Sequence, residues 1–123
     1  MAFSNISAGS LKTMIIVEAP ISRDDGAGGE IDDWENVFGG KKIPAKWVKK
    51  LTRFDSSIDD SKNDRVFALE TAVINTRYTS RITALCRVRR SADEAWWYVI
   101  GAPDRSPDGN WLEFTVERRS RGI

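Results

Sequence analysis

Apolar and polar residues alternate along much of this chain with the period of two that a half-buried strand imposes. The pattern is clearest over Trp111–Arg118: Leu112, Phe114 and Val116 share one face, and Glu113, Thr115 and Glu117 share the other. Leu11–Ala19 groups Leu11, Thr13, Ile15 and Val17, and its β-branched residues suit a pleated surface. Pro20 is expected to end that strand or mark an edge. Ala95–Ala102 sets Trp97 and Val99 against Trp96, Tyr98 and Ile100. Further strands are predicted over Ile31–Phe38 with Trp34 as an anchor, Ile43–Lys50, Val66–Tyr78 and Ala84–Arg89. A short helix within Phe67–Val73 competes, because Ala68, Leu69, Glu70 and Ala72 favour helix.

Turn signals separate these runs: the Arg23–Gly29 stretch, Gly39-Gly40, Ser91–Glu94 and Pro107-Asp108-Gly109-Asn110. Leu51–Arg65 breaks the rhythm, with only Leu51, Phe54 and Ile58 apolar, and reads as a long loop. The expected fold is all-β, a small antiparallel β-barrel or sandwich of about six to seven strands with one long inter-strand loop. A barrel would remove the open edges that invite aggregation. The expected organisation is a flexible N-terminal arm over residues 1–10, one β-barrel domain over 11–118 with the long loop at 49–65, and a tail over 119–123.

Composition narrows the function. The 123 residues carry 19 basic and 18 acidic side chains, a net charge of +1, which argues against a dedicated sequence-reading DNA binder. There is no histidine, and the single cysteine, Cys86, lies in an apolar run and reads as a buried, inert thiol. Zinc therefore has almost no ligands. The opening residues show no signal-peptide pattern and no apolar run is long enough to span a bilayer, so a soluble protein is expected.

The paired carboxylates Asp24/Asp25, Asp32/Asp33 and Asp59/Asp60 sit in or beside turns, where aspartates cap backbone N–H groups. The Asp24–Glu30 stretch lacks the ligand spacing of a calcium loop. No catalytic residue, metal ligand or cofactor is assigned. Adjacent Trp96 and Trp97 must face opposite ways on a strand, so one is buried and the other, Trp96, is available to a partner. The loop supplies the main interaction candidates: Lys49, Lys50, Arg53, Phe54, Asp55, Asp59, Asp60, Lys62, Asp64 and Arg65. Trp96, Arg118, Arg119 and Arg121 are candidate contacts to other subunits. Basic clusters that converge on one surface would line a channel by non-specific phosphate contacts.

The order of features carries a resemblance. Gly9-Ser10-Leu11-Lys12 leads into Met14-Ile15-Ile16-Val17-Glu18-Ala19-Pro20, followed by a glycine-rich turn and Ile31-Asp32-Asp33-Trp34-Glu35-Asn36-Val37. Pro44-Ala45-Lys46-Trp47, Thr76-Arg77-Tyr78, Arg81-Ile82, Cys86-Arg87-Val88 and Trp97-Tyr98-Val99-Ile100 complete it. From Gly9 to Arg118 the chain resembles the tailed-bacteriophage head–tail joining proteins, also called head-closure or stopper proteins. It departs from them at Met14, near which the family often has an arginine, and at Trp47, where an aliphatic residue is usual.

The resemblance implies a non-enzymatic virion protein of a phage or prophage, made in the bacterial host cytoplasm and monomeric in isolation. It implies assembly into a ring, typically twelve-fold, beneath the portal and its adaptor. Such a ring seals the DNA exit channel and offers a docking platform to the tail. The loop Lys49–Arg65 would reach the channel and contact packaged double-stranded DNA without reading sequence. The arms, Ala2–Ser10 and Arg118–Ile123, would touch neighbouring rings. The alternatives are a tail-terminator, expected to carry a clearer helix, a largely helical adaptor, or a β-barrel that binds single-stranded nucleic acid through aromatic and basic residues.

Overall fold

The structure is a computed structural model that describes residues 6–24, 26–50, 53–56 and 66–121. The described residues form eight strands: β1 (Thr13–Asp24), β2 (Glu30–Asn36), β3 (Ile43–Lys49), β4 (Arg53–Ser56), β5 (Val66–Arg77), β6 (Arg87–Arg89), β7 (Trp97–Arg105) and β8 (Trp111–Arg121). Among the described residues the one helical element is a single 3-10 turn at Ala8–Ser10. Strand wins over helix throughout Val66–Arg77, because β5 pairs with β3, β4 and β8. Tertiary pairing overrides the local helix preference of Ala68–Ala72.

Every strand pair is antiparallel, and six strands close a barrel in the order β1-β3-β5-β8-β7-β6, with β6 returning to β1 through Ile16↔Arg89, Val17↔Val88 and Glu18↔Arg87. The core fills the barrel with one face of each strand: Ile15 and Val17, Ala45, Ala72 and Ile74, Val88, Trp97 and Val99, and Leu112, Phe114 and Val116 are all buried. These are the faces that alternation predicts on β1, β7 and β8. Cys86 is buried as expected. Gly101 adopts φ 72° where β7 is irregular between Ile100 and Asp104, a backbone conformation that a side chain would resist.

Two pieces extend the barrel at opposite ends. β1 pairs with β3 only over Thr13–Ile15, then runs past the end of β3 and pairs with β2 from Glu18 to Asp24. Pro20 therefore does not end the strand. The backbone N–H of Val37 donates to Val17 O at 3.1 Å, which fixes the hydrogen-bonding phase and turns the nitrogen of Pro20 away from β2. The β6 pairing stops at Glu18, so no partner needs that missing N–H. At the other end β4 pairs with the start of β5, over Ser56↔Val66 to Arg53↔Leu69. Here β8 runs on to Arg121, opposite Phe67.

Three strand limits differ from the expectation. β6 is only Arg87–Arg89, because Ala84 and Leu85 form a turn. β7 starts at Trp97 and continues through Pro103 to Arg105. The predicted loop Leu51–Arg65 contains the short strand β4.

Candidate functional site

One mouth of the barrel is closed by charge. Alternation along β5 that buries Ile74 and Ala72 brings Glu70 to the same inner face, and alternation along β8 that buries Phe114 and Val116 does so for Arg118. Arg118 Nε donates to Glu70 Oε2 at 2.7 Å. Lys49 Nζ, at the end of β3, lies 3.4 Å from Glu70 Oε1. From the β6–β7 turn, Glu94 accepts from the backbone N–H of Arg90 at 2.7 Å and from its guanidinium Nε at 3.0 Å. Arg90 Nη2 also pairs with Glu94 Oε2, and Arg118 Nη1 reaches the same oxygen at 3.5 Å.

Two indoles floor this network. Trp47 and Trp97 meet edge to face, 5.2 Å between centroids. Arg118 lies 4.3 Å from the Trp97 ring and Arg90 lies 4.4 Å from the Trp47 ring, close enough for cation–π attraction. Burial alone would push the Glu94 carboxyl up, but the hydrogen bonds from Arg90 side chain and backbone prevail and lower it to about 2. The hydrogen bond from Arg118, helped by Lys49, holds Glu70 below its ordinary value. The bond to Glu94 raises Arg90. Each carboxylate is engaged by two cations, so neither is poised to take up a proton near neutral pH. The arrangement ties four segments together rather than doing acid–base chemistry.

A second cluster stands on the outer wall. Arg87 of β6 pairs with Glu18 of β1 at 2.7 Å. Its guanidinium lies between two rings, 4.0 Å from Trp34 and 4.1 Å from Trp96. Arg89 lies over Trp96 as well, at 4.1 Å. Trp34 meets Tyr98 of β7 edge to face at 6.3 Å. Trp34 is thus an outer-wall residue of β2, half-buried by arginine and tyrosine, and not the core anchor that its sequence setting suggests.

The predicted site residues fall in different places. Lys49 belongs to the charged mouth, and Lys50 follows β3 with its backbone N–H on Thr71 O at 2.8 Å. Arg53, Phe54 and Asp55 lie on β4, in register with Leu69, Ala68 and Phe67. Asp59, Asp60, Lys62, Asp64 and Arg65 lie outside the described residues. Trp96 is in the outer-wall stack, and Arg118 is committed to Glu70 and Glu94 within its own chain. Arg119 and Arg121 extend β8 opposite Leu69 and Phe67. Glu70 and Glu94 were not singled out from sequence, and Arg90 only as part of a basic cluster. Continuing the inward series of β5 back to Glu70 and of β8 forward to Arg118 is the signal that finds the pair.

Among the described residues no group of histidine, cysteine, aspartate and glutamate could hold a metal ion. None of their helices is long and apolar enough to cross a membrane.

Comparison with known proteins accords with this architecture. The solution structure of protein SF1141 from Shigella flexneri 2a superposes with a TM-score of 0.63 at 21% identity, covering 92% of this chain and 96% of that one. A chain from the virion of a native gene transfer agent particle superposes with a TM-score of 0.61 at 18% identity, covering 91% and 97%. At these identities the likeness is one of fold. Comparison with curated protein sequences finds no match. The family model for the phage head completion protein matches residues 6–119. That match takes in β1 to β7 and β8 as far as Arg119, and the chain accordingly belongs to the phage head completion protein family, a structural component of the virion at the head–tail connector.

Proposed function

We propose that this chain is a ring-forming head-closure, or stopper, protein that seals the DNA exit channel of the filled head and gives the tail its docking platform. The observation that carries the reading is a closed barrel extended at both ends, by the β1–β2 ribbon at one and by β4, β5 and β8 at the other. Closure leaves the barrel wall without a free edge, while each extension offers strand backbone to a neighbour above or below. A subunit that bridges a portal or adaptor ring on one side and a tail protein on the other needs two such ends. Residues 1–10 and 119–123 serve as its arms, and the stretch 49–65 that includes β4 faces the channel and restrains double-stranded DNA. The role is structural and requires no cofactor or catalytic group.

The test is removal of the gene from the phage. Heads should package DNA, then lose it, and finished tails should accumulate unattached. Supplying the chain in trans should restore both retention and joining. Heads that keep their DNA and accept tails without the chain would overturn the proposal.

A further inference from the structure

Two exposed apolar areas stand on opposite walls of the barrel. On the first wall, Met14 of β1 is 46% exposed and Val48 of β3 is 44% exposed, with Pro44 directly opposite Met14. On the second, Tyr98 and Ile100 of β7 are 46% and 39% exposed, and the Trp34 ring borders Tyr98. In the closed order β1-β3-β5-β8-β7-β6, two strands separate β3 from β7 in either direction. Val48 on β3 and the Tyr98–Ile100 pair on β7 therefore stand on opposite sides of the barrel.

Their surroundings differ in charge. Lys41–Lys50 holds five lysines and no acidic residue, and alternation sets Lys46 and Lys50 on the same face as Val48. On β2, Glu30 and Asp32 share the face of Trp34, whose ring reaches Tyr98, and the two cations on that wall are already engaged, Arg87 by Glu18 and Arg89 by the Trp96 ring. Glu117, opposite Tyr98 on β8, lines an open groove with Trp96 and Tyr98.

We propose that the Met14–Val48 wall of one copy packs on the Trp34–Tyr98–Ile100 wall of the next, with Glu30 and Asp32 of β2 facing the neighbour's Lys46 and Lys50. The inference rests on the head-closure reading and names the interface of that ring. Unlike patches on opposite sides make a head-to-tail contact, and only that kind of contact repeats around a closed ring. Opposite charges at the rims fix its register and repel a contact between two like walls.

The experiment uses phage particles assembled with Val48→Cys, Ile100→Cys or both, treated with a short bis-maleimide. Cys86 stays in place because it is buried. Both altered positions are exposed, and each purified variant should keep the parent's thermal transition. The double variant should give a ladder of cross-linked multimers, and each single variant should give monomer alone. Dimers from a single variant would mean a two-fold contact and overturn the proposal. Particles that carry the chain at the connector but yield no ladder would overturn this interface and leave head closure standing. Particles that join head to tail with no copy of the chain at the connector would overturn both.

Discussion

Arg118 of β8 donates from Nε to Glu70 Oε2 of β5 at 2.7 Å while its guanidinium lies 4.3 Å from the Trp97 ring. One side chain thus joins an ion pair, a second carboxylate and the largest core residue. Arg118→Met keeps much of the packing volume but leaves Glu70 and Glu94 short of a cation in a site that is only partly wet. The expected loss is about 2 kcal/mol of unfolding free energy, the scale of a charge-assisted hydrogen bond whose partner stays behind. Urea denaturation should show a lower midpoint with an unchanged slope. Adding Glu70→Met should return part of the loss, because the stranded carboxylate is then gone. A loss under about 0.5 kcal/mol for the single variant, the level of an ordinary surface change, would mean that the mouth is not held by this pair.

Acid should loosen the same mouth. Glu94 has a folded-state value near 2 against an ordinary 4.5, and Glu70 is lowered as well. A depressed carboxyl contributes stability that is fully present above its unfolded value and is lost as pH falls through the folded one. The contribution of Glu94 should therefore be constant above pH 4.5 and should fade between about 4.5 and about 2. Thermal unfolding of the parent and of Glu94→Gln across that range checks it. The parent should be the more stable near neutrality, and the two melting temperatures should converge toward pH 2. Curves that stay parallel would show that Glu94 does not carry the acid sensitivity.

Much of the barrel was legible because its strands bury one face. The series Leu112, Phe114, Val116 and the pair Trp97, Val99 pointed inward as alternation required, and Cys86 was buried. That Pro20 marks an edge was legible, but the continuation of β1 beyond it was not. It depends on which side of the strand the nitrogen faces, and the Val37–Val17 hydrogen bond that decides this comes from a distant segment. The charged mouth was hidden for a related reason. Glu70, Glu94 and Arg118 are remote in sequence; each glutamate alone reads as a solvated charge, and Arg118 reads as a contact to another subunit. Only the shared inward phase of β5 and β8 brings two of them together. Trp34 was misjudged because aromatic content implies burial, whereas an arginine sandwich satisfies the ring at the wall.

The Pro107–Asn110 turn was predicted from its residues, and its geometry makes Gly109 hard to replace. Gly109 sits at φ 80°, its N–H donates to Ser106 O at 2.9 Å, and a Cβ there would come 3.2 Å from Arg105 Nη2. Arg105 covers the Tyr78 ring at 3.7 Å and bonds to Gly109 O. Gly109→Ala should cost about 1–2 kcal/mol through the left-handed backbone. Gly109→Asn should cost less, since asparagine tolerates that region. Equal melting temperatures for the alanine variant and the parent would contradict the turn geometry.

Trp96 and Trp97 separate two kinds of tryptophan within one dipeptide. Trp97 is 1% exposed and meets Trp47, Arg90 and Arg118 inside the mouth. Trp96 lies on the outer wall against Arg87 and Arg89. Trp97→Ala should cost about 3–5 kcal/mol, because it opens a cavity under the charged network that the barrel strands cannot collapse to fill. Trp96→Ala should cost about 1 kcal/mol, the scale of two exposed cation–π contacts, because Arg87 retains Glu18 and Trp34. Denaturant titration of the two variants measures the difference directly. The reverse ranking would mean that the strand is turned over and that the outer stack, not the indole pair, holds the barrel together.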